Sequence, residues 1–206
     1  MQKAFHLNSK LKTYNSKLVL RIKIMPTKKH FIALAVGLML LTGCAVSVVD
    51  WGIKMQSPVP AETAAYSDED IDINFMVDDK SINFDLKNKT QNGIKLNYDE
   101  ISYISPGGAS LRVVSSNIRF SDRFAPQAPV VVPPGLLISE TIIPAQNIFF
   151  RTYDMAYYGW DVVPLFPNDA KTYLDKEFGL YFPLEIKGVK KEFMFKFKIT
   201  SIEKKK

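Results

Sequence analysis

Apolar and polar residues alternate one for one near the end of this chain, and this period of two restricts its fold more than any other feature. Between residues 193 and 200, three phenylalanines and an isoleucine alternate with lysines, a threonine and one methionine. Successive side chains of a β-strand point to opposite faces, so the segment predicts a strand with one buried and one wet face. Further short apolar or alternating segments predict strands at residues 71–75, 82–87, 94–98, 101–104, 111–114, 136–143 and 180–186.

Turn residues separate these segments at short intervals. The stretches between them, at residues 78–80, 88–93, 105–108, 133–135 and 187–190, contain Asp, Asn, Gly or Pro, which tolerate the conformations of a chain reversal. The only helical pattern lies at residues 167–176, where Asn168 or Asp169 would cap a turn or two. Strands at this spacing predict an all-β fold, an immunoglobulin-like antiparallel two-sheet sandwich, over residues 68–206.

Residues 1–43 have the parts of a secretory signal peptide. A short apolar block at residues 31–41 follows two lysines and precedes a small-residue site. The block is too short to span a membrane as a helix, which takes roughly 20 apolar residues. Because Met25 would open a signal of ordinary length, residues 1–24 are interpreted as an over-called start, with a long basic lead or a nucleic-acid arm as the alternative.

The last residues of this segment, Leu41-Thr42-Gly43-Cys44, resemble the lipobox of bacterial lipoproteins. In those proteins the cysteine thiol receives a diacylglycerol, the signal is cut before the cysteine, and the new amino terminus is acylated. The resemblance implies that Cys44 is lipidated and anchors the protein, since two or more acyl chains hold a protein stably in a membrane. Ala45 and Val46 stand where an inner-membrane retention signal would begin with aspartate, which favours the periplasmic leaflet of the outer membrane. A plain signal peptide with an incidental cysteine, or a core helix, is the alternative.

The chain therefore divides into three predicted parts: the signal peptide of residues 1–43, a lipidated cysteine and linker of residues 44–67, and the β-sandwich domain of residues 68–206. The linker contains Pro58, Pro60 and several small residues, with little periodicity. This composition is typical of a flexible tether between a lipid and a folded body.

The net charge of +6 is confined to the predicted signal peptide. Residues 1–43 hold eight Lys and Arg and no acid, which leaves 19 basic and 21 acidic residues in the remainder. The mature chain is therefore slightly acidic, and we expect no nucleic-acid partner.

The predicted mature chain has no histidine and, with Cys44 lipidated, no free thiol. His6 and His30 lie in the signal peptide, and Cys44 is the only cysteine. Ser-His-Asp and Cys-His catalysis and histidine metal ligands are thereby excluded, and we expect no enzyme activity, no cofactor and no metal. Acids at residues 68–72 and 78–79 leave a calcium site and a pair of hydrolase carboxylates as alternatives, although acidic runs are usually solvated.

Aromatic residues are densest between residues 149 and 166. Tyr153, Tyr157, Tyr158 and Trp160 lie here, near Phe149, Phe150 and Phe166. Exposed, these rings and the nearby Arg151, Asp154 and Asp161 can stack on a sugar or contact a protein partner; buried, they would close one end of the core. The four named Tyr and Trp residues are the candidate contact site.

Residues 82–90 and 94–99, with the turns at 105–108 and 132–135, look like a family of small uncharacterised bacterial lipoproteins. More distantly, an Asn-Lys-Thr-rich strand followed by an extended strand and a glycine turn resembles the water-stress, late-embryogenesis type of sandwich domain. Neither resemblance implies a catalytic residue or a substrate. They imply a membrane-anchored envelope protein with a non-enzymatic structural or protein-binding role, the alternative being a carbohydrate- or cell-wall-binding module built on the aromatic residues.

Overall fold

The computed structural model describes residues 49–152, 158–167 and 170–204, and this part of the chain is all-β. The strands are β1 Val49–Ser57, β2 Ala65–Ser67, β3 Ile71–Val77, β4 Ile82–Asn88, β5 Ile94–Leu96, β6 Ser102–Ile104, β7 Ser110–Ser115, β8 Val130–Val132, β9 Leu137–Pro144, β10 Ile148–Arg151, β11 Gly159–Val162, β12 Glu177–Ile186 and β13 Val189–Lys204. Four short 3₁₀ helices, Tyr98–Glu100, Phe120–Asp122, Ala145–Asn147 and Ala170–Tyr173, are the helical elements of the described residues. The all-β prediction is confirmed, as is the prediction of no more than a helical turn or two within residues 167–176; Asn168 and Asp169 lie outside the described residues.

Eleven of the strands form one sheet, in which the described pairings are antiparallel. Its order is β1-β13-β12-β6-β7-β9-β4-β3-β2, with β5 paired to both β12 and β8. β7 joins the two halves, because residues 110–112 pair with β6 and residues 113–115 pair with β9. A strand that changes partners in this way turns a corner in the sheet.

One aromatic core fills the space that this sheet surrounds. The Phe75 ring of β3 lies 4.9 Å from Phe195 and 5.2 Å from Phe197 of β13, although the two strands are far apart in the sheet order. The Phe84 ring of β4 similarly lies 5.2 Å from Phe182 of β12. Such contacts require opposite parts of the sheet to face each other, so the sheet is nearly closed around its core.

Residues 49–67 belong to this folded body, so the prediction of a flexible linker is wrong for them. β1 pairs with β13 from Val49, opposite Lys204, to Ser57, opposite Lys196, and both Trp51 and Met55 are buried. The physical reason is visible in the sequence: apolar side chains recur at every second position from 49 to 55, which is a strand pattern. The prolines only mark where that strand ends.

The hairpin formed by β10 and β11 lies outside the main sheet. Val114 of β7 and Ile143 of β9 face away from the main core and form a second, smaller core with Ala145, Ile148 and Val162. Ile148 and Val162 are paired at the base of the hairpin. This small core fixes the hairpin on the outer face of the sheet, and the hairpin carries the predicted aromatic residues.

Candidate functional site

The predicted aromatic residues that the structure describes lie on the open part of the β10–β11 hairpin. Phe150 pairs with Trp160 across the two strands, two residues beyond the buried pair of Ile148 and Val162. Residues two apart in a strand share a face, so Phe150 and Trp160 extend the face of the second core into solvent. Burial of the inner pair thus positions the outer pair.

Four aromatic side chains form an exposed surface here, which we call the aromatic patch: Phe124, Phe150, Tyr158 and Trp160. Tyr158 is 72 % exposed and Trp160 is 40 % exposed. The Phe150 ring lies 5.0 Å from the Tyr158 ring and 5.2 Å from the Trp160 ring, both edge to face. Contiguous apolar area of this kind on a soluble surface marks a contact site more often than isolated exposed residues do.

Arg123 connects the two sides of the aromatic patch. Its guanidinium carbon lies 4.9 Å from the centroid of the Trp160 ring and 4.8 Å from that of Phe124. A guanidinium over an aromatic face is attracted by the ring electrons, which contributes about 0.5–1 kcal/mol at exposed positions. Arg123 therefore holds Phe124, on the loop after β7, next to Trp160 on the hairpin.

A polar network anchors the loop that carries Arg123. Arg112 of β7 donates to the Asp99 carboxylate at 2.6 Å and to the Phe124 carbonyl at 2.7 Å. Asp99 also accepts from the backbone N–H of Gln127 at 3.1 Å, and the Gln127 side chain bonds to β7. Burial would raise the pKa of Asp99, but the hydrogen bonds from Gln127 and Arg112 outweigh it and lower that pKa. The loop is thereby held by a charged carboxylate.

Charged groups lie beside the aromatic patch. Asp161 forms ion pairs with Arg151, across the hairpin, and with Lys80 of the β3–β4 turn at 3.1 Å. The hydrogen bond from Lys80 and the backbone N–H of Val162 lower the pKa of the Asp161 carboxyl. Arg151, Asp161, Tyr158 and Trp160 line a shallow groove of about 320 Å³. The groove combines an exposed ring with hydrogen-bonding groups.

The structure separates the residues that the sequence grouped. Tyr158 and Trp160 lie in the aromatic patch, whereas Phe166 is buried in the main core, 4.5 Å from Trp51. The other candidate residues, Tyr153 and Tyr157, and the nearby Asp154 lie outside the described residues. Cys44 and the predicted signal peptide lie outside them as well.

Sequence reasoning missed the contribution of the loop after β7. Arg119-Phe120 and Arg123-Phe124 repeat an Arg-Phe pair four residues apart, and the Phe120 ring lies 6.5 Å from Trp160. A repeated cation–aromatic pair in a segment without strand periodicity is the signal that indicates a surface role. The higher aromatic density at residues 149–166 places the sequence prediction there instead.

Three of the acids at residues 68–72 form ion pairs with lysines. Asp68 accepts from Lys191 at 2.7 Å and Asp70 from both Lys187 and Lys191 at 3.4 Å, while Asp72 pairs with Lys89 at 3.2 Å. In the described part of the chain, no group of three or more His, Cys, Asp or Glu side chains is placed to hold a metal ion. The cluster acts as an electrostatic contact between strands.

Five described carboxyl groups have a pKa below the ordinary value, because hydrogen bonds and ion pairs outweigh the effect of burial. They are those of Asp68, Asp72, Asp99, Glu100 and Asp161. A glycoside hydrolase needs one carboxyl with a raised pKa as its general acid. These five groups are therefore unsuited to that role.

No protein-family model, curated protein or solved structure matches this chain. Within residues 49–152, 158–167 and 170–204, the structure contains no helix of the length and apolarity needed to cross a membrane.

Proposed function

We propose that this protein is a lipid-anchored, non-enzymatic component of the bacterial cell envelope that binds a protein partner through the aromatic patch. The observation that carries the proposal is the exposed cluster of Phe124, Phe150, Tyr158 and Trp160 around Arg123. Trp, Tyr and Arg are the residue types that contribute most to binding at protein interfaces. The patch rests on a rigid base, since the second core and the Arg112 network hold its two sides.

The arrangement of the rings favours a protein over a polysaccharide as the partner. Arg123 covers one face of the Trp160 ring, and the Phe150 ring stands edge-on to both Tyr158 and Trp160. Sugar rings stack on open aromatic faces, whereas side chains of a protein partner can pack against edges and pockets between rings. The guanidinium beside these rings also offers donors to backbone carbonyls or carboxylates of a partner.

The proposed anchor is Cys44, in the outer membrane on its periplasmic side. Because β1 begins at Val49, only residues 45–48 separate the proposed lipid from the folded body. Five residue steps span about 18 Å at most when fully extended. The domain would therefore work close to the membrane surface, and a partner would have to meet it there.

The finer fold assignment, an immunoglobulin-like two-sheet sandwich, is part of this proposal. Its support is that the two halves joined by β7 face each other across the core, with Phe84 against Phe182 and Phe75 against Phe195. The family of small bacterial lipoproteins that the sequence resembles is proposed on the same footing. An experimental structure with its strand connections compared to those of immunoglobulin domains would test the assignment.

Site-specific photo-crosslinking in intact cells tests the protein partner. A photoreactive residue at position 158 should give one defined protein adduct, and Arg123→Ala should abolish it. Val189 is 68 % exposed, close to the value for Tyr158, so the same photoreactive residue at position 189 is the matched control. An adduct of equal yield from position 189, or one unaffected by Arg123→Ala, would contradict a specific partner at the aromatic patch.

Intact-mass measurement of the protein extracted from membranes tests the anchor. The expected mass is that of a chain beginning at an acylated Cys44, and Cys44→Ala should lose both the acyl mass and the membrane association. A chain that keeps its first 43 residues without lipid would overturn the proposed location.

Cell-wall polysaccharide is the second candidate ligand. Tyr158 is the most exposed ring of the patch and lies beside Arg151 and Asp161 in a groove of about 320 Å³. The chain has two tryptophans, of which Trp51 is buried, so quenching by added glycan fragments would report on Trp160. Saturable quenching that is lost in Tyr158→Ala would favour the polysaccharide, and unchanged emission would exclude it at this surface.

A further inference from the structure

The free edge of β2 is a second surface that stands apart from the aromatic patch. β2 lies at the end of the main sheet and pairs with β3 on one side only. At its two ends, the N–H of Phe75 donates to the Ala64 carbonyl at 2.9 Å, and the N–H of Asp68 donates to the Ile71 carbonyl at 3.0 Å. The backbone groups of residues 64 and 68 therefore point toward β3.

The backbone groups between these two positions divide between the two sides of β2. Residues that bond to the partner strand alternate with residues whose N–H and C=O point away from it. Tyr66 thus bonds to β3, whereas Ala65 and Ser67 direct their N–H and C=O groups away, and these four groups have no hydrogen-bond partner among the described residues. Both residues are exposed. Two donors and two acceptors at the repeat of an extended strand match the backbone of another extended segment.

A groove of about 420 Å³ adjoins this edge on the outer face of the sheet. It is lined by the three residues of β2 and by residues of β3, β4 and β9. One row of side chains crosses the strands here, since Ala65 pairs with Asn74, Asn74 with Asp85, and Asp85 with Ser139. Because the Ala65 side chain is short, a long side chain from an added strand can pass over it to Asn74 and Asp85.

The charges in the groove favour a basic side chain in that row. Asp85 accepts from the Ser139 hydroxyl at 2.6 Å and forms no ion pair within the described residues. In the neighbouring row, Asp72 is already paired with Lys89 at 3.2 Å, and Lys87 adds a positive charge. Asp85 is therefore the carboxylate of this groove that can pair with an incoming cation.

We propose that the edge of β2 binds an extended peptide segment as an added antiparallel strand, with an arginine or lysine opposite Ala65. The peptide backbone exchanges hydrogen bonds with Ala65 and Ser67, and the basic side chain crosses Ala65 to reach Asn74 and Asp85. In strand addition of this kind, main-chain bonds supply affinity and side-chain pockets supply selectivity. The inference does not depend on a partner at the aromatic patch.

The test is an NMR titration of the full chain, purified in detergent micelles, with the peptide acetyl-Val-Thr-Val-Arg-Val-amide. The N–H groups of its arginine and threonine would face β2, and that of its central valine would face away. Saturable binding is expected, with slowed amide hydrogen exchange at Ala65 and Ser67. N-methylation of the arginine should weaken binding by about tenfold or more, whereas N-methylation of the central valine should not weaken it.

The basic side chain is tested separately from the backbone. Citrulline in place of arginine removes the charge and should weaken binding about threefold, the size expected of an exposed ion pair. Asp85→Asn should bind the two peptides equally. Ala65→Leu should weaken binding of the arginine peptide by blocking the path across β2, and it should keep the unfolding temperature because position 65 is exposed. Ala109→Leu, at an exposed alanine beside the β6–β7 turn, is the matched control and should bind like wild type.

Several outcomes would overturn the proposal. They are the absence of saturable binding, equal weakening by the two N-methylated peptides, and wild-type affinity in Ala65→Leu. A dimer in sedimentation velocity whose Ala65 and Ser67 amides are protected without peptide would assign the edge to a second copy of the chain instead. Trp160→Ala should leave the affinity unaltered, so a failure here is distinguishable from a failure of the aromatic patch.

Discussion

Lys191 donates a hydrogen bond of 2.7 Å to Asp68, which ties β13 to the start of β3 on the opposite half of the sheet. The other oxygen of the same carboxylate accepts from the backbone N–H groups of Asp70 and Ile71 at 2.9 Å each. One charged group therefore both fixes the turn before β3 and joins two strands that are not neighbours in the sheet. It helps to close the sheet around its core.

The first prediction concerns the stability of the fold in acid. Burial would raise the pKa of Asp68, but the hydrogen bonds from Lys191 and from the backbone outweigh it, so that pKa lies below its ordinary value of 3.8. A lowered folded-state pKa means that ionised Asp68 stabilises the fold above about pH 4 and that this stabilisation is lost as the pH falls through the folded-state value. Asp68→Asn should lower the free energy of unfolding by about 1 kcal/mol at pH 7, because the ion pair is partly exposed, and by less at pH 3.

Urea unfolding of the wild type and the variant at pH 7 and pH 3 measures this difference. Glu69→Gln changes an exposed neighbouring acid in the same way and should shift the midpoint little at either pH. A difference between wild type and Asp68→Asn that stays constant from pH 7 to pH 3 would show that the carboxylate charge is not what stabilises the contact.

The second prediction follows from the position of β1. A chain that starts at Val49 should unfold cooperatively, whereas one that starts at Asp68 should lack a cooperative transition. Removing Trp51 and Met55 from the core costs roughly 3–6 kcal/mol in buried apolar area, a large part of the 5–15 kcal/mol that stabilises a typical domain. Urea unfolding followed by circular dichroism compares the two chains. Equal urea midpoints for the two chains would show that residues 49–67 do not stabilise the fold, as expected of a linker.

Period-two alternation or a short apolar run between turn residues predicts eight of the strands. In the alternating strands one face meets the core and the other meets water. β3 is typical, since Ile71, Ile73 and Phe75 are buried while Asn74 is exposed. β8, at residues 130–132, was missed because three consecutive valines next to prolines have no alternation. Its partner β5 is distant in sequence, and only the tertiary pairing makes this segment a strand.

The candidate site was predictable in part. Aromatic density pointed to Tyr158 and Trp160, but whether such rings are buried depends on which elements cover them. The β10–β11 hairpin rests on the outer face of β7 and β9, an arrangement set by tertiary packing. The contact of Arg123 with Trp160 brings together the loop after β7 and strand β11, and no spacing in the sequence encodes it.

The third prediction concerns the buried asparagine at the end of β4. Asn88 is fully buried; its amide nitrogen donates to the carbonyls of Asn92 at 2.7 Å and Val132 at 2.9 Å, and its oxygen accepts from Thr90 at 2.8 Å. Asn88→Ala leaves these buried groups unpaired and should lower the free energy of unfolding by about 2–4 kcal/mol.

Chemical denaturation of Asn88→Ala and of Asn74→Ala provides the comparison. Asn74 is exposed on the neighbouring strand β3, so its loss should change the free energy of unfolding by less than about 0.5 kcal/mol. Equal effects of the two substitutions would mean that the buried network does not stabilise the fold.

The fourth prediction concerns Gly179, where β12 passes close to β13. A Cβ built at this position would lie 2.9 Å from the carbonyl oxygen of Phe195, a backbone atom that cannot rotate away. Gly179→Ala should therefore push the two strands apart and lower the free energy of unfolding by about 1–3 kcal/mol. Gly107→Ala is the matched control, because a Cβ there meets nothing closer than Ser105 Oγ at 3.8 Å. Thermal unfolding of both variants measures the difference. Equal midpoints would show that the β12–β13 pair tolerates a methyl group. A lower midpoint for Gly179→Ala alone would show that the close approach of the strands requires glycine.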